Sequence, residues 1–170
     1  MTSVYFFNLT EKTEYDKSLL PQNVKDHCKK PESIAAAAEL LNMGVENLWY
    51  DRNKPMADNC FVSISHSGDM VAVCTSEKPI GIDIELIDEK RNLEKLSNRV
   101  FCGKELEIFK NNPTPEQFYE IWTRKEAYSK IEGQGVNEIM KGFDIFDLQD
   151  YEFHTEIINN YVLSICEKIK

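Results

Sequence analysis

The chain has 170 residues, of which 42% are apolar and 29% charged, with a formal net charge of −9. That length suits one ordinary domain or two small lobes on a shared core, and the composition is globular rather than disordered. The acidic balance argues against nucleic-acid binding, which needs a basic surface, and no apolar run approaches the ~20 residues that span a bilayer.

Met1 to Phe7 is apolar but lacks a basic start and a long apolar stretch. It reads as a first strand over residues 4–9 rather than as a signal peptide. Residues 16–29 predict a short helix. Pro31 suits the first turn of the next one, Ile34 to Leu41 has high helix propensity, and Gly44 is a stop. Residues 51–59 are polar and read as a loop. Phe61 to Ser65 alternates like a strand, His66-Ser67-Gly68-Asp69 reads as a turn, and Met70 to Thr75 as the returning strand of a hairpin. Pro79 breaks the chain before a strand over residues 80–86. Helices are expected over residues 92–101, 103–110 and 116–131, the last ended by Gly133 and Gly135. Phe143–Leu148, Tyr151–Ile158 and Tyr161–Ile165 are the remaining strand candidates.

The five cysteines, Cys28, Cys60, Cys74, Cys102 and Cys166, are odd in number and contain no CxxC pair. Neither a disulfide framework nor a zinc site is expected, and a reducing, cytoplasmic setting fits. Residues 70–78 resemble residues 161–168, and each stretch closes its half of the chain. The halves differ in charge: residues 1–78 carry 8 basic and 11 acidic residues, residues 79–170 carry 12 and 18. An α+β fold of two similar lobes, 1–78 and 79–170, related by a pseudo-twofold, would account for the repeat.

Three segments carry chemistry. In Ile80-Gly81-Ile82-Asp83-Ile84-Glu85-Leu86, strand alternation puts Gly81, Asp83 and Glu85 on one face. Two carboxylates side by side repel unless a cation or water lies between them, and such oxygen ligands suit Mg²⁺ beside substrate phosphates. Taken alone, a solvated strand face is the simpler reading. In the helix over 116–131, Glu126 and Lys130 stand four apart on one face, which by itself reads as a surface ion pair. A carboxylate there would matter only if the fold brought it to Asp83 and Glu85. Ser65-His66-Ser67 could hold a phosphate through hydroxyls, imidazole and backbone N–H groups, or could be a plain polar turn. A Ser/His nucleophile is disfavoured because no G-x-S-x-G elbow occurs.

In this order the segments resemble the 4′-phosphopantetheinyl transferase superfamily. Its G-[IV]-D strand is matched by Gly81-Ile82-Asp83. Its [WF]-x-x-K-E-[AS]-x-x-K helix is matched by Trp122 to Lys130, with Glu126 43 positions after Asp83. Ser65-His66-Ser67 matches an S-H-S segment, and Asn53-Lys54-Pro55 approximates G-K-P. Phe101 with Glu105 resembles F-[ST]-x-x-E, and Gly133-Gln134-Gly135 matches G-x-G. The likeness covers residues 53–136 well and the ends loosely. Length and the half-chain repeat point to the pseudo-dimeric, surfactin-type branch, acting as a monomer.

The resemblance implies transfer of the phosphopantetheine of coenzyme A to a serine of an apo acyl or peptidyl carrier protein, releasing adenosine 3′,5′-bisphosphate. No nucleic acid or membrane partner is implied. Asp83, Glu85 and Glu126 would bind Mg²⁺, or Mn²⁺ in its place. Lys130, with Lys125, would face the pyrophosphate. Ser65, His66 and Lys54 would lie at the nucleotide phosphates, and Glu126 would be the base. The carrier would dock on a local basic or apolar patch, with Arg99, Lys104, Lys110 and Arg124 as candidate cations and Phe101, Phe109 and Tyr119 as candidate apolar contacts. Two positions depart from the pattern. The Arg many relatives carry near the start of the second helix is missing from Ser33 to Ala38, leaving Lys25, Lys29 or Lys30 to replace it. Cys102 stands where a Ser or Thr cap is usual. The rival readings are a domain of this fold that binds a carrier or nucleotide without transfer, and a Mg²⁺-dependent pyrophosphohydrolase, which would need a dense acidic helix that the chain lacks.

Overall fold

Apolar alternation and asparagine-rich turns organise the strands. A computed structural model describes residues 2–8, 22, 31–51, 54–133 and 142–170. Strand β1 (Ser3–Asn8) is followed by α1 (Pro31–Leu40), β2 (Leu48–Asp51), β3 (Lys54–Ala57), β4 (Cys60–Ser67) and β5 (Met70–Ser76). These strands form one antiparallel sheet in the order β1-β5-β4-β3-β2. The second part contributes β6 (Ile80–Leu86), α2 (Leu93–Val100), α3 (Gly103–Asn111), α4 (Pro115–Glu132), β7 (Tyr151–Ile158) and β8 (Tyr161–Lys168). Its sheet runs β6-β8-β7. The described residues are thus an α+β arrangement of two sheets and four α-helices.

Three expectations need correction. Residues 51–59 are not a loop throughout, because Lys54–Ala57 pairs with both β2 and β4. The turn that permits this is Asp58-Asn59, with Asn59 at φ 65°, where asparagine is tolerated better than most residues. Phe143–Leu148 is not a strand: Ile145–Asp147 is a short 3-10 turn capped by the Asp144 carboxylate, which accepts the Phe146 N–H. Ser65 to Ser67 also lie within β4, so the tight turn is only Gly68-Asp69. Of the helix expected over 16–29 only Gln22 is described, and it is helical; the rest, with Lys25 and Lys29, lies outside the described residues, as do Lys30, Asn53, Gln134 and Gly135.

The β7–β8 hairpin turns through Asn159 and Asn160, both at positive φ (47° and 66°), the pattern of a two-residue turn that matches strand twist. Helix α4 starts at Thr114, whose hydroxyl accepts the Gln117 N–H, has Pro115 in its first turn, and stops at Gly133 in the left-handed region.

Three apolar clusters support these elements. Ile34, Ala37 and Ala38 of α1 pack on Leu48, Ala57, Val62 and Val73. Ile80, Ile82 and Ile84 of β6 pack with Leu163 and Ile165 against Ala72 and Cys74 of β5. Burial pushes the Cys74 thiol up to about 12, so it acts as a small hydrophobe. Phe101, Phe109, Phe118 and Tyr119 form a buried aromatic cluster under α2 to α4. Phe101, Phe109 and Tyr119 are therefore core and offer no surface to a partner.

Candidate active site

Strand β6 meets three different neighbours. Its isoleucine face is in the core described above. Its other face, Gly81, Asp83 and Glu85, turns toward α4. At Gly81 an added Cβ would collide with the Ala127 carbonyl oxygen, so glycine here lets the helix backbone approach the strand. The free edge of β6 faces β4, where three serines meet it. Ser63 Oγ accepts the Ile82 N–H at 3.0 Å, Ser65 Oγ accepts that of Ile84 at 3.4 Å, and Ser67 Oγ that of Leu86 at 3.0 Å. An unpaired strand edge is thereby satisfied by side chains from the other sheet.

This close approach brings the carboxylates and Lys130 together. Lys130 Nζ donates to Asp83 Oδ1 at 2.8 Å and to the Ile82 carbonyl at 2.7 Å. Ser65 donates to the same Asp83 oxygen at 2.7 Å, and Ser67 donates to Glu85 Oε2 at 2.8 Å. Asp83 is buried, and its second oxygen, Oδ2, has no hydrogen-bond partner. Glu126 sits beside this pair. Burial first, then the Asp83 charge, raise its carboxyl to about 8, with Glu85 adding to the rise and Lys130 opposing it. Glu85 is also raised, by burial and by Asp83, while hydrogen bonds from Ser67 and Trp122 pull it back. Glu85 and Glu126, both raised beside the buried Asp83, mark a place prepared for a cation.

The donors fit a hard divalent ion. Asp83 Oδ2 is an orphaned buried acceptor, the neighbouring groups are carboxylates, and Mg²⁺ usually takes one or two protein carboxylates with substrate oxygens and water. Among the described residues no three His, Cys, Asp or Glu side chains stand close enough together to hold a metal ion as they are.

The other expected site residues are placed as follows. Lys54 Nζ donates to the Ile131 carbonyl at 3.1 Å, at the C-terminal end of α4 one residue beyond Lys130. Strand alternation turns His66 to the opposite face of β4 from Ser65 and Ser67. Ser65 has given its single hydroxyl proton to Asp83 rather than keeping it for a ligand. Lys125 lies elsewhere. It is 2% exposed, and its ammonium meets both oxygens of Glu105 at 2.7 and 2.8 Å and the Phe143 carbonyl at 2.9 Å. Every proton of that ammonium is engaged inside the protein, and five residues along the helix from Lys130 it faces a different side. Glu105 also accepts the Cys102 N–H, which caps α3 without a Ser or Thr.

Sequence reasoning did not connect Ser67 and Trp122 with Glu85. The available signal was spacing: Ser65/Ser67 and Asp83/Glu85 are both i,i+2 pairs, and Trp122 precedes Glu126 by one helical turn. Beside Glu85 opens a cleft of about 420 Å³ lined by Ser67, Asp88, Lys90 and Arg91 among others.

Residues 79–166 match the sequence model of the 4′-phosphopantetheinyl transferase superfamily. The chain belongs to this superfamily. The matched stretch holds β6 and α4, hence all three carboxylates and Lys130. Among characterised proteins, the chain is 35% identical over 105 residues to the 4′-phosphopantetheinyl transferase gsp of Aneurinibacillus migulanus, covering 58% of this chain and 44% of gsp. It is 34% identical over 108 residues to the 4′-phosphopantetheinyl transferase AcpT of Escherichia coli K12, covering 61% and 55%. It is 33% identical over 84 residues to the 4′-phosphopantetheinyl transferase psf-1 of Bacillus pumilus, covering 48% and 35%. Likeness to these transferases puts this superfamily member in the surfactin-type branch. The chain spans about half the length of the first two relatives. No helix among its described residues is long and apolar enough to cross a membrane.

Proposed function

We propose that this chain transfers the 4′-phosphopantetheine group of coenzyme A to a serine hydroxyl of an apo carrier protein, with adenosine 3′,5′-bisphosphate as leaving group. The observation that carries the reading is the convergence of Asp83, Glu85 and Glu126 with Lys130, on the two elements that the family match spans. A pure binding domain has no use for three clustered carboxylates, two of them raised by burial and by the Asp83 charge.

Asp83, Glu85 and Glu126 would hold Mg²⁺, which when bound neutralises pyrophosphate charge and so stabilises the leaving group. Lys130 keeps Asp83 and the Ile82 carbonyl with two of its three donors, and the third is assigned to the pyrophosphate. Glu126 accepts the serine proton as the serine oxygen bonds to phosphorus and the bond from phosphorus to the leaving phosphate oxygen breaks. Burial and the Asp83 charge raise its carboxyl, and Mg²⁺ held beside it would oppose that rise and keep it ionised for the task. Positioning and charge stabilisation supply most of the acceleration in phosphoryl-type transfer. His66 and Lys54 are assigned to the nucleotide phosphates.

The reading extends to architecture. Two lobes, 1–78 and 79–170, related by a pseudo-twofold would put the site at their seam, and the β4–β6 serine contacts support that placement. The protein would act as a monomer in the cytoplasm. The carrier surface is assigned to α2. Arg91, Lys95 and Arg99 rim a shallow cleft of about 430 Å³ with Leu96, and Arg91 also lines the cleft at Glu85. Two of the other candidate cations are engaged: Lys104 with Asp147, and Arg124 with Glu120 and Thr155.

The test is incubation with coenzyme A, Mg²⁺ and a panel of apo carrier proteins, followed by intact mass. A carrier should gain one phosphopantetheine, and Asp83→Ala should abolish the gain. The enzyme reading fails if no carrier changes mass and Asp83→Ala leaves coenzyme A binding unaltered.

A further inference from the structure

The three serines of β4 repeat one geometry with one difference. Each hydroxyl accepts a backbone N–H from β6: Ile82, Ile84 and Leu86 in turn. Each such N–H follows a residue on the carboxylate face: Gly81, Asp83 and Glu85. At the last two rungs the same hydroxyl donates its proton to the carboxylate just before, Ser65 to Asp83 Oδ1 at 2.7 Å and Ser67 to Glu85 Oε2 at 2.8 Å. At the first rung the residue is Gly81, which has no side chain to receive one. A hydroxyl held by a backbone N–H has little freedom to rotate its proton elsewhere. Its direction is set by the strand, and it fixes the rotation of the carboxylate it meets.

The result at Asp83 is an asymmetric carboxylate. Oδ1 is held by Ser65 and by Lys130, while Oδ2 is buried with no partner. A buried acceptor left bare costs stability. The arrangement is understandable if Oδ2 is the atom offered to the cation. Ser67 engages one oxygen of Glu85, Oε2, in the same way.

Resting on the transferase reading above, we infer that Ser65 and Ser67 are positioning residues for the cation site: they determine which oxygen of Asp83 and of Glu85 is presented. Ser63 has only the structural half of the role. The ladder therefore contains its own control. Removing Ser63 loses an edge hydrogen bond and nothing else, whereas removing Ser67 loses the same kind of bond and also frees a carboxylate.

The experiment compares Ser63→Ala, Ser67→Ala and Ser67→Thr in the full chain, with Ser65→Ala as a second probe should Ser67→Ala fold poorly. Two readouts are taken without coenzyme A: the melting temperature, and Mn²⁺ affinity from the electron paramagnetic resonance signal of the free ion. Carrier modification is followed separately. Both Ser63→Ala and Ser67→Ala should lower the melting temperature. Only Ser67→Ala and Ser65→Ala should weaken Mn²⁺ binding, by about tenfold, as loss of a group that orients a metal ligand typically does. Ser67→Thr keeps the hydroxyl and should restore most of the affinity.

The inference is overturned if Ser63→Ala and Ser67→Ala change Mn²⁺ affinity equally or not at all, or if the wild-type chain takes up no Mn²⁺. Failure of the transferase reading looks different. In that case Mn²⁺ binds and the serine contrast holds, yet no apo carrier is modified.

Discussion

Lys125 gives the sharpest test of what separates a ligand residue from a structural one in α4. Replacing it by methionine keeps the volume of the stem and removes the ammonium. The structure sets the size of the effect. Three hydrogen bonds are lost, two to Glu105 and one to the Phe143 carbonyl, and Glu105 is left buried. Breaking a buried pair by removing one partner costs about 3–5 kcal/mol. Glu105 still accepts the Cys102 and Ile145 N–H groups, which points to the lower end. At roughly 2–4 °C per kcal/mol for a chain of this size, Lys125→Met should melt about 6–12 °C lower. The loss also depends on pH. Burial already pushes the Glu105 carboxyl upward, and without Lys125 the shift grows. An acid whose folded pKa exceeds its unfolded one contributes its stability below the unfolded pKa and loses it as pH rises through the folded pKa. The melting deficit should therefore widen as pH rises above the ordinary carboxylate range. Glu105→Gln with Lys125→Met should cost less than the sum of the two single changes, because no lone charge remains. Scanning calorimetry gives the melting data, and transfer kinetics below the melting range give KM for coenzyme A, expected unchanged. The reasoning is refuted if Lys125→Met melts within about 2 °C of wild type while KM for coenzyme A rises about tenfold.

Gly81→Ala should destabilise by about 1–3 kcal/mol in urea, with an unchanged m-value, because its Cβ would displace the α4 backbone at Ala127. Ser76 and Thr2 donate to Glu167 and hold its carboxyl below the ordinary value. A depressed acid contributes stability above its unfolded pKa and loses it as pH falls through its folded pKa. Ser76→Ala should thus melt lower near neutrality, and the gap should close below about pH 4; a gap that persists in acid counts against the Glu167 linkage. Arg99→Glu should raise KM for an acidic carrier several-fold and steepen no dependence on coenzyme A, as expected for a rim charge that steers encounter. Unchanged carrier kinetics would remove α2 from the docking surface.

The strands around the site were legible because their apolar residues alternate and their turns use Gly, Asn and Asp: β4 to β6, β7 and β8 all lie where the pattern puts them. Helix α4 was legible from its Gly133 stop, and it runs Pro115–Glu132 where residues 116–131 are expected. Two stretches misled for opposite reasons. Lys54–Ala57 is short and contains Pro55, and is a strand only because β2 and β4 flank it. Phe143–Leu148 is apolar and aromatic, but Asp144 caps a 3-10 turn there, and Phe143 packs against Tyr128 and Lys125. Local propensity is silent about such tertiary partners. Lys125 misled in the same way. A lysine one residue before Glu126 looks like part of a cationic site, and only the folded chain reveals that Glu105, 20 positions earlier, has claimed it.

What the motif residues share is less a common ligand than a common seam. Gly81 is small so that α4 can approach β6, and that approach is what carries Glu126 and Lys130 to Asp83. The serines of β4 complete the other side, since they close the β6 edge that the strand itself leaves open. Two of the three serine contacts that hold the sheets together also set the orientation of an acid. Tightening the fold at this seam and ordering the carboxylates are therefore one physical event. For this reason changes such as Gly81→Ala, which touch no ligand, should weaken cation binding as well as stability, whereas Lys125→Met, on another side of the same helix, should weaken stability alone.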